Sequence, residues 1–378
     1  MVKSKYNLMF VTASLQIGGL ETYLVNVLKV LDRSIFSPLV VYNGLGRDDY
    51  LPVLHDMAIP VHKIPNSPWQ VDYYSKVKKI IREYSVDIVC DFRDDFCAPT
   101  LIAAGLAGVK SRVAMYRSSR TCFKPTWIKN AYASIMHTLV SLTATRMIGN
   151  TSKVLANYYG DWKSNKKCAV VHNGVPIDEY LAKKDKTRVR TELGIPENAF
   201  VIGHVGRFHE SKNHDTLIKV FSKVKQQCQS AHLLLVGDGA LRPQIEACIN
   251  ENAVGANTII TGLRTDIARL HAAMDVFAYP SLYEGMPTAF VEAMISGLPF
   301  VASNIEEITE IVPPELQGQL LNPYDVNMMA EAIMKLNQQA DQRINCGAIA
   351  QRWSMDRFSI EKSVQQLCGH LLVPFKER

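Results

Sequence analysis

The stretch Ser281–Gly297, SLYEGMPTAFVEAMISG, decides the fold. It follows an apolar run, Val276–Tyr279, that reads as a buried parallel strand ending at Pro280. A tight Glu284-Gly285-Met286-Pro287 turn then opens onto Thr288–Met294, a good helix former. Proline is tolerated in a first helical turn because the N–H it lacks has no intrahelical partner there. The pattern is strand, glycine turn and helix N-terminus, with Glu284 before the helix and Glu292 inside it. Unpaired N–H groups and the positive end of the dipole make such a terminus an anion site. Acidic residues nearby suit sugar hydroxyls better than phosphate, and a site offering both contacts fits a nucleotide sugar. An E-x7-E spacing is common, however. By itself it reads as a helix cap at Glu284 and a solvated helix residue at Glu292.

The segments before this stretch repeat its pattern. Phe200–His204 is a strand, Val205–Asn213 a loop and His214–Gln226 a helix. This puts Arg207 and Lys212 at a strand's carboxyl end beside Gly206, where a doubly wound sheet binds ligand. Arginine grips phosphate oxygens through a fork and lysine supplies a mobile point charge, so the pair suggests a diphosphate clamp. The alternative is two surface charges on a helix approach. His232–Val236 ends in Gly237-Asp238-Gly239, and Thr258–Thr261 leads into Gly262-Leu263-Arg264. Beyond the opening stretch come strand Phe300–Ser303, helix Val326–Gln339, and an amphipathic segment, Trp353–Leu372, after a helix over Gln342–Gln351.

The first half has the same grammar. Strand Leu8–Val11, a loop ending in Gly18-Gly19 and helix Glu21–Leu31 open it. Adjacent glycines at a strand end let backbone N–H groups approach a ligand, but the spacing is not GxGxxG. Strands then alternate with helices through Val86–Cys90, Val109–Tyr116, the long helix Trp127–Ser141, Met147–Gly149 and Ala169–His172. Such alternation predicts α/β architecture with parallel sheets. His172-Asn173-Gly174-Val175-Pro176 closes this half. The charged Asp178–Arg190 reads as a surface linker, giving domains of residues 1–180 and 186–351.

Length and charge agree. A chain of 378 residues holds roughly two domains. No run reaches the roughly 18 apolar residues of a membrane span, and Met1–Tyr6 leads straight into a strand, so no secretory leader is expected. The eight cysteines are scattered without a CxxC or Cys/His cluster. They read as reduced thiols in a cytoplasmic protein, and a metal site is not expected. Residues 1–185 carry 24 Lys and Arg against 15 Asp and Glu, whereas residues 186–351 carry 13 against 18. The basic half could face nucleic acid, an anionic membrane or an anionic acceptor, or be an ordinary solvated face.

Five motifs stand in order: Gly18-Gly19-Leu20-Glu21, His172-Asn173-Gly174-Val175, Val205-Gly206-Arg207 with Lys212, Gly237-Asp238-Gly239, and Glu284-x7-Glu292. Together they resemble the retaining GT-B glycosyltransferases of family 4, in the manner of bacterial enzymes of exopolysaccharide, capsule and lipopolysaccharide assembly. The resemblance covers nearly the whole chain. It implies two facing Rossmann-like domains with a cleft between them, and a C-terminal helix, within 353–378, crossing back to the first. It implies that Arg207 and Lys212 bind the donor diphosphate and stabilise the leaving group, and that Glu284 contacts the transferred sugar. Gly285, Met286, Pro287 and Thr288 would approach sugar and phosphates through their backbone, and Glu292 would hold the ribose. Arg264 would lie near the base, with Gly206 and Gly237 in the donor loops. Gly18 and Gly19 would let the first domain close over the diphosphate. The donor would be a nucleotide sugar, most often uridine diphosphate-linked, with no metal or other cofactor. The acceptor would be a lipid-linked or growing polysaccharide at the inner membrane face. There the basic half and the Phe123–Ile135 segment fit peripheral contact with anionic lipid.

One departure stands out. Many relatives carry a histidine after the strand corresponding to Val109–Met115, where this chain reads Tyr116-Arg117-Ser118-Ser119-Arg120. Arg117 could touch donor phosphate or an anionic acceptor, or be one more basic surface residue. Arg93, Asp94 and Asp95 would line the cleft edge and could position the acceptor hydroxyl. As sequence neighbours the two aspartates point different ways, so at most one serves. Two other readings are a nucleotide-sugar epimerase, which the five motifs oppose, and a non-catalytic subunit of a partner transferase, which the intact Arg207, Lys212, Glu284 and Glu292 oppose. A dehydrogenase is weaker still, for want of GxGxxG and a placed acidic residue.

Overall fold

The structure, a computed structural model, describes residues 5–65, 71–118 and 127–376. It divides into two compact units, Met1–Gly174 with Ile360–Arg378, and Val175–Ser359. Arg120, Lys124 and the first part of the Phe123–Ile135 segment lie outside the described residues.

The first unit is a seven-stranded parallel sheet. Its strands are β1 (Tyr6–Ser14), β2 (Phe36–Leu45), β3 (Val61–Lys63), β4 (Ile88–Asp91), β5 (Ser111–Tyr116), β6 (Arg146–Gly149) and β7 (Cys168–Val170). They lie in the order β3-β2-β1-β4-β5-β6-β7. The central β1 is apolar on both faces because both are covered. Leu8 and Phe10 pack with Leu24 and Leu28 of the helix Gly19–Val30, while Met9 and Val11 join the opposite layer with Leu101 and Val140. The C-terminal helix Ile360–Leu371 belongs here. Val364, Leu367 and Leu371 enter the same layer as Phe10. Tyr23 Oη lies 2.9 Å from Ser363 Oγ, and Ser111 Oγ donates to the Leu371 carbonyl at 2.8 Å.

The second unit is a six-stranded parallel sheet. Its strands are β8 (Phe200–Val205), β9 (Ala231–Val236), β10 (Thr258–Ile260), β11 (Val276–Tyr279), β12 (Phe300–Ser303) and β13 (Leu320–Leu321). They run β10-β9-β8-β11-β12-β13. In each unit the order reverses once, between β1 and β4 and between β8 and β11. Crossovers on the two sides of that point leave in opposite directions and open a crevice at the strands' carboxyl ends. The opening stretch of the sequence sits there, after β11, with the helix Thr288–Ile295 starting directly behind Pro287.

Two expectations are corrected. Asp178–Arg190 is not a surface linker. It forms the helix Ile177–Leu181 and the start of the helix Lys186–Glu192, and it belongs to the second unit. Its charge is deceptive because Arg190 is buried and works as a staple. Its guanidinium donates to the carbonyls of Ala199 and Ala273 and to Asp275 Oδ2, at 2.9, 2.9 and 2.7 Å. Trp353–Leu372 is not one helix either. The helix Ala340–Arg357 stays in the second unit, anchored by Trp353 Nε1 on the Ile311 carbonyl, and the break falls at Phe358–Ser359. There Val175 pairs with Ser359, so both chain crossings leave the second unit side by side.

Candidate active site

The loops after β8 and β9 are stitched together through their backbones. Gly206 N–H donates to the Val236 carbonyl and Phe208 N–H to that of Asp238, both at 3.0 Å. Gly237 and Gly239 are glycines because of this close approach. A β-carbon at Gly237 would stand 2.0 Å from the Gly206 carbonyl oxygen, and one at Gly239 would stand 2.5 Å from that of Phe208. Bracing of this kind fixes the loop that carries Arg207 and Lys212.

Lys212 ends a short 3-10 turn, Glu210–Lys212, and Asn213 then turns the chain in the left-handed region at φ 53°. The lysine reaches across the switch point. Its Nζ lies 2.5 Å from Glu284 Oε1 and donates to Tyr279 Oη at 2.6 Å; the tyrosine hydroxyl donates to the same Glu284 oxygen at 3.0 Å. The Lys212 and Glu284 side chains are only 15% and 10% exposed. Three groups from two neighbouring strand ends thus close a triangle, and charge-assisted bonds with this little water around them are strong. Burial, and next the Glu284 charge, push the Tyr279 hydroxyl well above the usual phenol range, so it stays a donor.

Beneath this triangle the His204 ring stacks on Tyr279 at 5.5 Å and meets His214 edge-on at 4.9 Å. Burial, assisted by the Lys212 charge, pushes the two imidazoles down to about 4 and about 2. Both are neutral at physiological pH. Arg207 is exposed and makes no hydrogen bond or ion pair among the described residues. One cation is therefore held against a carboxylate and the other is free for an external anion.

Glu292 does not join the triangle. It is partly buried in the helix Thr288–Ile295, and desolvation pushes its carboxyl up to about 8 against a lowering hydrogen bond from Tyr180. A carboxyl that titrates there can both donate and accept, which suits hydroxyl partners. The Met286 side chain is buried in the core, leaving only its backbone for a ligand. The Arg264 fork is already filled: Nε and Nη2 each bond an Asp266 oxygen at 2.7 Å, and this holds Asp266 down to about 2.

In the first unit, the helix Gly19–Val30 has no side-chain cap, and the space where a Gly19 β-carbon would stand is open. Arg93 is not at an edge, contrary to expectation. It is buried, with Nε and Nη2 on the two Asp91 oxygens at 2.9 and 2.6 Å and further bonds to Asn43, Tyr73 and Thr100. The two following aspartates do diverge. Asp94, at φ 50°, accepts the Arg117 backbone N–H at 2.7 Å, while Asp95 accepts from Tyr116 Oη at 2.8 Å and lies 3.3 Å from His137 Nδ1. Desolvation raises the Asp94 carboxyl to about 7, against the hydrogen bond from Arg117. The Arg117 guanidinium stands over Tyr23 and Phe92, 4.7 and 5.0 Å from their centroids, and Nη1 donates to Asn173 Oδ1.

Family models match both halves: Glycosyltransferase Family 4 over residues 17–179, and Glycosyl transferases group 1 over residues 185–353. The putative glycosyltransferase EpsF of Bacillus subtilis is 30% identical over 325 residues, 82% of each chain. This chain is a GT-B glycosyltransferase of family 4. A UDP-Gal:alpha-D-GlcNAc-diphosphoundecaprenol alpha-1,3-galactosyltransferase of Escherichia coli is 29% identical over 174 residues, 45% of each chain. The crystal structure of Anabaena HepE in complex with UDP and glucose superposes with a TM-score of 0.82 at 23% identity, covering 97% of this chain and 99% of that one. The structure brings the sequence candidates Lys212 and Glu284 together and adds Tyr279, which sequence reasoning did not name and whose one signal was a hydroxyl on the last residue of a buried strand. Among the described residues no three His, Cys, Asp or Glu side chains converge as a metal site, and no helix is long and apolar enough to cross a membrane.

Proposed function

We propose that this transferase moves a hexose, with retention, from a UDP-sugar to a lipid-linked or polysaccharide acceptor in building a cell-surface or exported polysaccharide. The Lys212–Glu284 pair at the β8/β11 switch point, with Arg207 free on the same loop, carries this reading. The E. coli relative's UDP-Gal donor and diphosphoundecaprenol acceptor, and the UDP and glucose held by HepE, support it. Breaking the bond between the anomeric carbon and the β-phosphate oxygen leaves positive charge on the sugar and negative charge on UDP. Arg207 and Lys212 stabilise the departing diphosphate where its charge grows, taking the place of a divalent metal. Glu284 accepts from sugar hydroxyls. The acceptor oxygen bonds to the face the phosphate leaves, and its proton passes to the departing phosphate.

Work at the inner membrane face accords with exposed Trp127, Ile135 and Leu142 on the helix Trp127–Thr143, and with exposed Lys76, Lys79 and Arg82 on Val71–Glu83. The deciding experiment is calorimetric titration of the full chain with UDP and UDP-sugars in EDTA, followed by NMR of the product's anomeric configuration. UDP binding that Lys212→Ala or Arg207→Ala weakens is the expected result. No UDP binding, or binding indifferent to both substitutions, would overturn the reading.

A further inference from the structure

Arginine meets a carboxylate or phosphate best along one edge, where the Nε and Nη2 hydrogens point the same way and grip two oxygens at once. Among the described residues three arginines have that edge filled. Arg93 holds both oxygens of Asp91, Arg264 holds both oxygens of Asp266, and Arg190 places both nitrogens on the Ala273 carbonyl. Arg117 differs. Its Nη1 is engaged by Asn173, but Nε and Nη2 are both hidden from solvent without a hydrogen-bond partner among the described residues.

Among the described residues no carboxylate hydrogen-bonds that edge, although the Asp94 carboxyl lies near enough to feel the Arg117 charge. Tyr23 and Phe92 offer only ring faces, and the Asp94 carboxylate spends Oδ1 on the Arg117 backbone rather than its side chain. Burying an ionised group without a partner is among the costlier arrangements in a protein. The position is nonetheless held firmly: Asp94 pins the backbone from below, and two rings and Asn173 fix the guanidinium. Arg117 as a whole is partly exposed, so the empty edge lies just under the surface at the carboxyl end of β5.

We infer that the Nε/Nη2 edge of Arg117 is a binding fork for an oxyanion, a carboxylate or phosphate group carried by one of the substrates. That the anion belongs to a substrate rests on the transferase reading; that the edge takes an oxyanion does not. An acidic sugar on the donor and an acidic or phosphorylated acceptor share this chemistry, and the choice of probe separates them.

The test is calorimetric titration of the full chain and of Arg117→Gln and Arg117→Lys with UDP, UDP-glucose and UDP-glucuronate. With UDP saturating, glucuronate and glycerol 1-phosphate follow. The expected result is that at least one anionic probe binds about tenfold or more weakly to Arg117→Gln. Arg117→Lys should fail to restore it, since lysine keeps the charge but loses the fork. Loss confined to UDP-glucuronate places the anion on the donor sugar. Loss confined to glucuronate or glycerol 1-phosphate places it on the acceptor, and loss already seen with UDP places the diphosphate in the fork. Binding of every probe within twofold across the three proteins would overturn the inference and leave Arg117 a brace between two rings. Should Arg117→Gln not fold, Arg117→Lys carries the comparison. If the chain binds no UDP, the transferase reading fails, while glucuronate and glycerol 1-phosphate added alone still report on Arg117.

Discussion

The two units share one plan, a parallel sheet with a single reversal of strand order, and each sets one paired and one open cation at its carboxyl edge, but the pairing goes to different depths. After β8 and β11, Lys212 is paired with Glu284 while Arg207 is left free. After β4 and β5, Arg93 is spent on the fold and Arg117 is fixed but half unpaired. A cation at a strand end is thus no guide to function until its partners are counted. Full saturation, as at Arg93, marks structure, whereas a cation with a donor to spare can still meet a ligand, and Lys212 uses only two of its three N–H groups on Tyr279 and Glu284.

The sharpest way to break this comparison is to remove a saturated cation. Arg93→Met strands the fully buried Asp91 carboxylate, and losing one partner of a buried pair costs about 3–5 kcal/mol. The expected outcome is a large fall in the urea midpoint of the first unit, with UDP affinity per folded molecule unchanged. An equal loss of stability from Arg207→Ala would erase the distinction, because that residue has nothing to strand.

At the second unit's edge the comparison is sharpened by turnover. On the proposed mechanism Lys212→Ala takes a donor from the departing diphosphate, and it is expected to lower kcat by about 10²–10³-fold, as loss of one preorganised donor does. Glu284→Gln keeps the shape and the Tyr279 contact but removes the charge that holds Lys212. Its loss should fall mainly on kcat, because the diphosphate contacts remain. Steady-state kinetics with a synthetic acceptor separate the two, and a change confined to KM for either variant would count against the assigned roles.

How much of this was legible in the sequence follows from the same bookkeeping. Glycine turns after apolar runs placed Lys212 and Glu284 at strand ends, and strand ends beside a switch point are close in space whatever the chain between them. The sheets were legible for the same reason, because a buried parallel strand must be apolar throughout. Partners were not legible. Nothing in Asp178–Arg190 tells that Arg190 folds inward onto the carbonyls of Ala199 and Ala273, and nothing beside Arg93 tells that Asn43, fifty residues away, waits for it. Tyr279 was hidden by its neighbours: a tyrosine ending an apolar run looks like core, and its ring is core, stacked on Phe277 and Phe290. Only the hydroxyl belongs to the site. Tyr279→Phe should therefore leave UDP affinity intact and lower kcat about tenfold, the scale of one charge-assisted hydrogen bond. A matching fall in stability with unchanged kcat would make the hydroxyl structural.

The smallest expected effect concerns the carboxyls rather than the cations. Glu292 titrates at about 8 and Asp94 at about 7, both above their ordinary values of 4.5 and 3.8. Between their unfolded and folded values the native protein holds protons that the unfolded chain gives up, so stability falls as pH rises. Below about pH 6.5 the depressed histidines His204, His214 and His271 work the other way, because unfolding lets them charge. As the unfolded histidines lose their last protons above about pH 7, the carboxyl effect comes to dominate up to pH 8. Glu292 is partly exposed, which trims its share to the order of 1 kcal/mol. Glu292→Gln cannot ionise. Relative to the parent it should gain stability steadily across that window and show little difference near pH 5. Thermal melts of both proteins at half-unit intervals measure the gap. A gap that does not widen with pH would mean that Glu292 is ionised throughout.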